Sequence, residues 1–166
     1  MAMRLLPPCE LAWIDRAPAK IELTTYLKAP PDKVFAAFAD AARVTRWLSP
    51  SPDVTLTVLR FEFRVGGAYR YAYDVPGVGT MHVNGLYRAI ERPSKIVFTW
   101  NIEPPDVHAG TESEVTVTLA PDGAGTSLVI RHARLTMPGA ADRHADGWRG
   151  ALDHLAAQLG AAEPAE

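Results

Sequence analysis

Five histidines, at positions 82, 108, 132, 144 and 154, and tyrosines at 69, 71 and 73 are the side chains here best suited to acid–base or hydrogen-bonding chemistry. Their spacing limits what they can do. No two histidines stand four apart, and Cys9 is the only cysteine, so neither a helical His pair nor a cysteine-rich zinc site is available. Asp142 and Asp146 lie one helical turn apart but on a solvated face, so no metal is expected there. A Gly-x-Ser-x-Gly elbow and a phosphate-binding glycine loop are both absent, and Gly77-Val78-Gly79 lacks the following helix that a dinucleotide site requires. No cofactor is therefore expected. What remains is a set of separate polar groups within apolar alternations, suited to hydrogen-bonding a ligand or exchanging a proton with it.

Strand parity says which of them face inward. His132 shares parity with Leu128 and Ile130 and should point inside, as a ligand contact or proton carrier, or as a core histidine bonded to a carbonyl. Tyr69, Tyr71 and Tyr73 alternate with Arg70, Ala72 and Asp74 and should also face in; Tyr73, nearest a loop, is the one suited to a cavity. His82, Asn84 and Arg88 share parity with Leu86 and Ile90. If that face is interior, they line a cavity; if Met81, Val83 and Tyr87 are interior, they are solvated. His144 falls one turn before Trp148 on an apolar helix face, where it either reaches a cavity opening or abuts Trp148. Trp47, Trp100 and Trp148 default to the core, at positions that also border such a cavity. Arg64, beside a Gly-Gly bend, reads as structural.

The elements that must hold these groups follow from periodicity. Residues 1–18, broken by Pro7, Pro8 and Pro18, read as an arm with Leu11, Trp13 and Ile14 tacked onto the body. Ile21 to Lys28 alternates as a half-buried strand. Ala29-Pro30-Pro31-Asp32 ends it and opens a helix carrying Val34, Phe35 and Phe38. Asp40 can cap a second short helix with Val44 and Trp47, stopped by Pro50 and Pro52. Strands are predicted near 54–63, 67–75, 80–91, 94–102, 112–120 and 126–135, with hairpin composition at 76–79 and 121–125. Gly66-Gly67 supplies the backbone freedom for a bend at the start of the second of these. The segment 101–110 is longer, contains Pro104-Pro105 and suggests a mobile flap. Ala141, His144, Ala145, Trp148, Leu152, Leu155 and Leu159 share one face of a final helix, with Asp142, Asp146, Arg149 and Asp153 opposite and Gly160 as its stop.

With 166 residues and 48% hydrophobic content, one domain with a single core is expected, over 19–161, with 162–166 as a tail. A formal net charge of -2 leaves no electrostatic footprint for nucleic acid or an anionic membrane. No apolar run reaches the length of a membrane span, and the lone cysteine points to no oxidising compartment, so a cytoplasmic protein is the expectation.

In order, these pieces resemble the helix-grip (START-like) superfamily. More narrowly, they resemble bacterial proteins similar to the C-terminal domain of the activator of Hsp90 ATPase. The resemblance is carried by Ala29 to Phe35, Arg46-Trp47, Glu62-Phe63-Arg64-Val65-Gly66-Gly67, the run from Gly85 to Phe98-Thr99-Trp100, Thr126 to His132, and Gly147-Trp148. It implies an α+β fold: a curved antiparallel sheet of about seven strands around a long C-terminal helix, with two short helices after the first strand. Two departures stand out. Leu48-Ser49 follows Trp47 where relatives often have a second tryptophan, and Glu62 replaces an aspartate, so ligand preference cannot be borrowed.

The expected function is binding of a small hydrophobic molecule, a lipid or aromatic metabolite, between sheet and helix. Trp47, Tyr73, His82, Asn84, Trp100, His132, His144 and Trp148 are the cavity candidates. The resemblance also admits a polyketide cyclase/aromatase-like enzyme or a co-chaperone domain. Hsp90 itself is not the expected partner, since the chain has no room for the eukaryotic activator's additional domain. A homodimer stays open.

Overall fold

A computed structural model describes residues 20–162; the arm expected at the N-terminus, with Leu11, Trp13 and Ile14, lies outside the described residues. Seven strands and three helices follow in the order β1 (Ile21–Leu27), α1 (Pro31–Ala39), α2 (Ala41–Trp47), β2 (Thr55–Phe61), β3 (Ala68–Val75), β4 (Gly79–Glu91), β5 (Lys95–Ile102), β6 (Glu112–Asp122), β7 (Gly125–Ala133) and α3 (Ala140–Ala162). All strand pairs are antiparallel, in the order β1-β7-β6-β5-β4-β3-β2, so the two short helices carry the chain from one edge of the sheet to the other. This is the helix-grip arrangement. No helix among the described residues is long and apolar enough to cross a membrane.

The short helices are locked by local chemistry. Pro31 opens α1, whose Val34, Phe35 and Phe38 are buried. Asp40 accepts the Arg43 amide at 3.2 Å and starts α2. Trp47 then ties the two together: its Nε1 donates to the Ala37 carbonyl at 3.0 Å, and its ring meets Phe38 edge-on.

At the Gly-Gly bend, Gly66 takes φ +86°, and a side chain at Gly67 would strike the Glu62 carbonyl. Glu62 accepts the Ala68 amide at 3.1 Å and sits 3.5 Å from Arg64, which is the structural role expected of that arginine. β7 ends at Ala133, two residues earlier than expected, because Arg134 takes φ +68° and leaves the extended region. Conversely, α3 continues through Gly160 to Ala162 instead of stopping there, in an alanine-rich stretch that favours helix.

The parity of β4 is settled by a contact between strands. Val83 and Tyr87 are buried, whereas Leu86 is 46% exposed, so the face carrying His82, Asn84 and Arg88 is the outer one. On the inner face Gly85 leaves a gap that Tyr69, paired opposite it, fills with its ring. The Tyr69 hydroxyl then donates across to the Thr99 carbonyl on β5 at 2.6 Å. A methyl group at Gly85 would meet both that carbonyl and the Tyr69 ring. Gly85→Ala is therefore expected to lower unfolding free energy by about 1–3 kcal/mol, while Asp153→Ala on the exposed face of α3 stays within about 0.5 kcal/mol. Urea midpoints compare the two; equal values would mean that Tyr69 does not lie over Gly85.

Candidate functional site

The apolar face of α3 lies against β1 and α2, with Trp148, Leu152, Leu155 and Leu159 buried. Its N-terminal half stands over the far ends of β3, β4 and β5 and leaves a cavity of about 430 Å³. Tyr73, Val75, Met81, Trp100 and Ile102 line it from the sheet. Leu48, Ser49, Pro50 and Val54 line it from the segment after α2, and Arg143, His144, Asp146, Gly147, Trp148 and Ala151 from α3. Small residues keep it open. A Cβ at Gly150 would collide with the Pro50 carbonyl, so helix and loop are in contact there, and one turn earlier Gly147 leaves space.

Beneath the cavity lies a buried hydrogen-bond chain. Trp148 Nε1 donates to His132 Nδ1 at 3.0 Å. An indole nitrogen can only donate, so Nδ1 is the acceptor and the histidine proton sits on Nε2. That proton goes to Ser113 Oγ at 2.7 Å, and Ser113 donates its own to the Trp100 carbonyl at 2.8 Å. Three strands and a helix, the consecutive elements β5, β6, β7 and α3, are thereby joined with every link of the chain satisfied. Burial, with His144 beside it, pushes the His132 pKa down to about 2. His132 is a neutral structural link rather than a free proton carrier.

His144 is different. Its Nδ1 lies 2.7 Å from the Ala140 carbonyl and must carry the proton, leaving Nε2 as a lone-pair acceptor without a hydrogen-bond partner among the described residues. Burial lowers its pKa, so the ring is neutral. Trp100 borders the cavity with its ring, while its Nε1 is fully buried and has no hydrogen-bond partner among the described residues. The Tyr73 hydroxyl also makes no hydrogen bond among the described residues, and burial raises its pKa.

Of the residues expected at the site, Tyr73, Trp100, His144 and Trp148 come together at the cavity, and His132 lies directly behind Trp148. Trp47 is fully buried in the α1–α2 contact and is not part of the lining. His82 and Asn84 are corrected: they lie on the outer face of β4, where Asn84 donates to Glu103 at 2.8 Å. Arg70 grips the same carboxylate with two hydrogen bonds, and this pairing holds the Glu103 pKa down at about 2. Arg143, Gly147 and Ser113 were not among the expected site residues, although Gly147 belongs to the family resemblance and Ser113 shares inward parity with Val115 and Val117.

The segment 101–110, expected as a mobile flap, begins inside β5, which runs to Ile102, and the loop that follows is latched. Arg143 donates to both oxygens of Asp106 at 2.7 and 2.8 Å and to His108 Nδ1 at 2.7 Å. His108 Nε2 in turn donates to the Pro138 carbonyl at 2.9 Å. The Arg143 hydrogen bonds hold the Asp106 pKa down at about 2. No group of three His, Cys, Asp or Glu side chains able to hold a metal ion occurs among the described residues.

The sequence profile of a family described as activator of Hsp90 ATPase homolog 1-like protein matches residues 28–160. The chain belongs to this family. Solved structures share its fold. A protein from Chromobacterium violaceum is 30% identical, with a TM-score of 0.77 over 86% of this chain and 97% of the other. The AHSA1 protein of Silicibacter pomeroyi is 24% identical, with a TM-score of 0.75 over 85% and 97%. CalU16 of Micromonospora echinospora is 26% identical, with a TM-score of 0.60 over 84% and 78%. Among curated proteins, none matches the chain. The family thus accounts for the scaffold, and the cavity must be interpreted from its own residues.

Two outcomes are expected. His132 protonates near 6.5 when unfolded but only at about 2 when folded, so the unfolded state takes up more protons as pH falls. Stability from this group is complete above about pH 6.5 and declines below it, by about 2 kcal/mol at pH 5. His144 acts in the same direction. Glu103 and Asp106, with ordinary values of 4.5 and 3.8, add their own loss only at lower pH. Urea unfolding between pH 7.5 and 5 should show the decline, and His132→Leu, though less stable, should show a flatter one. Separately, Arg143→Gln should speed exchange of the His108 amide, which donates to Asp106 at 2.9 Å, by about tenfold or more, without a matching drop in global stability. Hydrogen-exchange NMR reads this directly.

Proposed function

We propose that this protein binds a small, mainly apolar molecule in the cavity between the sheet and the first half of α3. The observation that carries this reading is the 430 Å³ space itself, lined largely by apolar side chains with a few polar groups among them. That combination is the usual make-up of a small-molecule site, at the low end of its size range. The family's fold is compatible with such a role. His132, the strongest acid–base candidate of a cyclase reading, is held in the buried chain, which favours binding over proton-transfer chemistry.

Gly147→Leu tests the reading without damaging the scaffold. A Cβ at Gly147 meets only the Pro50 Cβ, at an ordinary 3.9 Å, and replacing a mid-helix glycine by leucine favours the helix by up to about 1 kcal/mol. The longer side chain fills the cavity. The variant should melt at or above the wild-type temperature and lose the heat of binding that wild type shows on calorimetric titration against neutral aromatic compounds. Undiminished binding in the filled variant would place the ligand elsewhere.

A further inference from the structure

The polarity of the cavity narrows the ligand class. The charged side chains at its wall are already matched by protein groups: Arg143 by Asp106, and Asp146 by Arg149 at 3.1 Å. Trp148 Nε1 is committed to His132, and Ser49 donates to the Ser51 carbonyl at 3.3 Å. Unused hydrogen-bonding capacity remains at the Tyr73 hydroxyl and His144 Nε2, and the Ser49 hydroxyl keeps its acceptor lone pairs, whereas Trp100 Nε1 is buried out of reach of the cavity. Trp100 and His144 lie next to each other, with ring centroids 6.3 Å apart. His144 Nε2 is an acceptor, and the Tyr73 hydroxyl can be donor or acceptor.

We propose that the cavity selects a neutral ligand, an apolar ring-bearing body with a hydroxyl or carbonyl group bonded by Tyr73 or His144, and excludes carboxylates and ammonium ions of the same shape. This rests on the ligand-binding reading above. A carboxylate entering this space would lose its hydration and meet no free cation, because the Arg143 guanidinium is held by Asp106. An ammonium ion would find only Asp146, which lies in solvent beside Arg149 and offers a screened charge rather than a buried counter-ion. A neutral hydroxyl would instead donate to the His144 lone pair, and a hydroxyl or carbonyl would accept from the Tyr73 hydroxyl. Burial keeps His144 and Tyr73 uncharged, so neither supplies a counter-charge.

The test uses the full chain and four probes of one shape, titrated by calorimetry at pH 7.5: 2-ethylnaphthalene, 2-naphthalenemethanol, 2-naphthoate and 2-naphthylmethylammonium. The alcohol should bind about tenfold or more tightly than either ion, and severalfold more tightly than the hydrocarbon. Tyr73→Phe and His144→Leu should each bring the alcohol-to-hydrocarbon ratio toward one. Naphthoate or the ammonium ion binding as tightly as the alcohol would overturn the neutral selection while leaving the cavity a binding site. Alcohol and hydrocarbon binding equally would overturn the role of the polar groups. Failure of all four probes, the hydrocarbon included, would overturn the ligand-binding reading and this inference with it.

Discussion

The hydrogen-bond chain from Trp148 through His132 and Ser113 to the Trp100 carbonyl is the constraint on which the rest of the structure depends. It joins α3 to β7, β6 and β5 with one donor and one acceptor at every link, so none of its members can rotate without leaving a buried polar group unmatched. An unmatched group of this kind costs about 1–3 kcal/mol, a large fraction of a domain's ~5–15 kcal/mol. The chain thereby sets where the first half of α3 sits relative to the sheet. Hydrophobic packing of Leu152, Leu155 and Leu159 holds the second half, but packing alone would tolerate a sliding helix.

With the helix so placed, the cavity follows from side-chain size. Gly150 lets α3 touch Pro50, while Gly147, Ala151 and Leu48 are too small to fill the space between Trp148 and the ends of β3 to β5. The Arg143 pairing with Asp106 and His108 then holds the segment after β5 against the same end of the helix. Stability and hollowness are separated along one helix: its C-terminal half closes the core, and its N-terminal half borders the cavity.

Much of this was legible in the residues. Strand succession, the two short helices and the buried face of α3 follow from alternation, turn composition and helical period, each of which is local. His132 pointed inward by parity, but its role depended on Ser113 and Trp148, which lie 19 and 16 residues away. The face of β4 was undecided because Leu86 and Val83 argue for opposite sides; the Tyr69 ring over Gly85 decides it, and that is a contact between strands. His82 and Asn84 were lost from the site for the same reason. The segment 101–110 looked free because its composition is loop-like, whereas its latch is an arginine more than 30 residues away. Local pattern therefore carried the fold, and long-range pairing of polar groups carried the site.

The central claim is that the space bordered by Trp100 and Trp148 receives the ligand while the rest of the core stays closed. Indole N–H resonances in a nitrogen-15 NMR titration with 2-naphthalenemethanol test it most directly. Trp47, whose Nε1 is bonded to the Ala37 carbonyl away from the cavity, serves as the internal reference. The account predicts a saturable shift of the Trp100 resonance, a smaller one for Trp148, and none for Trp47. A saturable shift confined to Trp47, or no shift at Trp100, would contradict it.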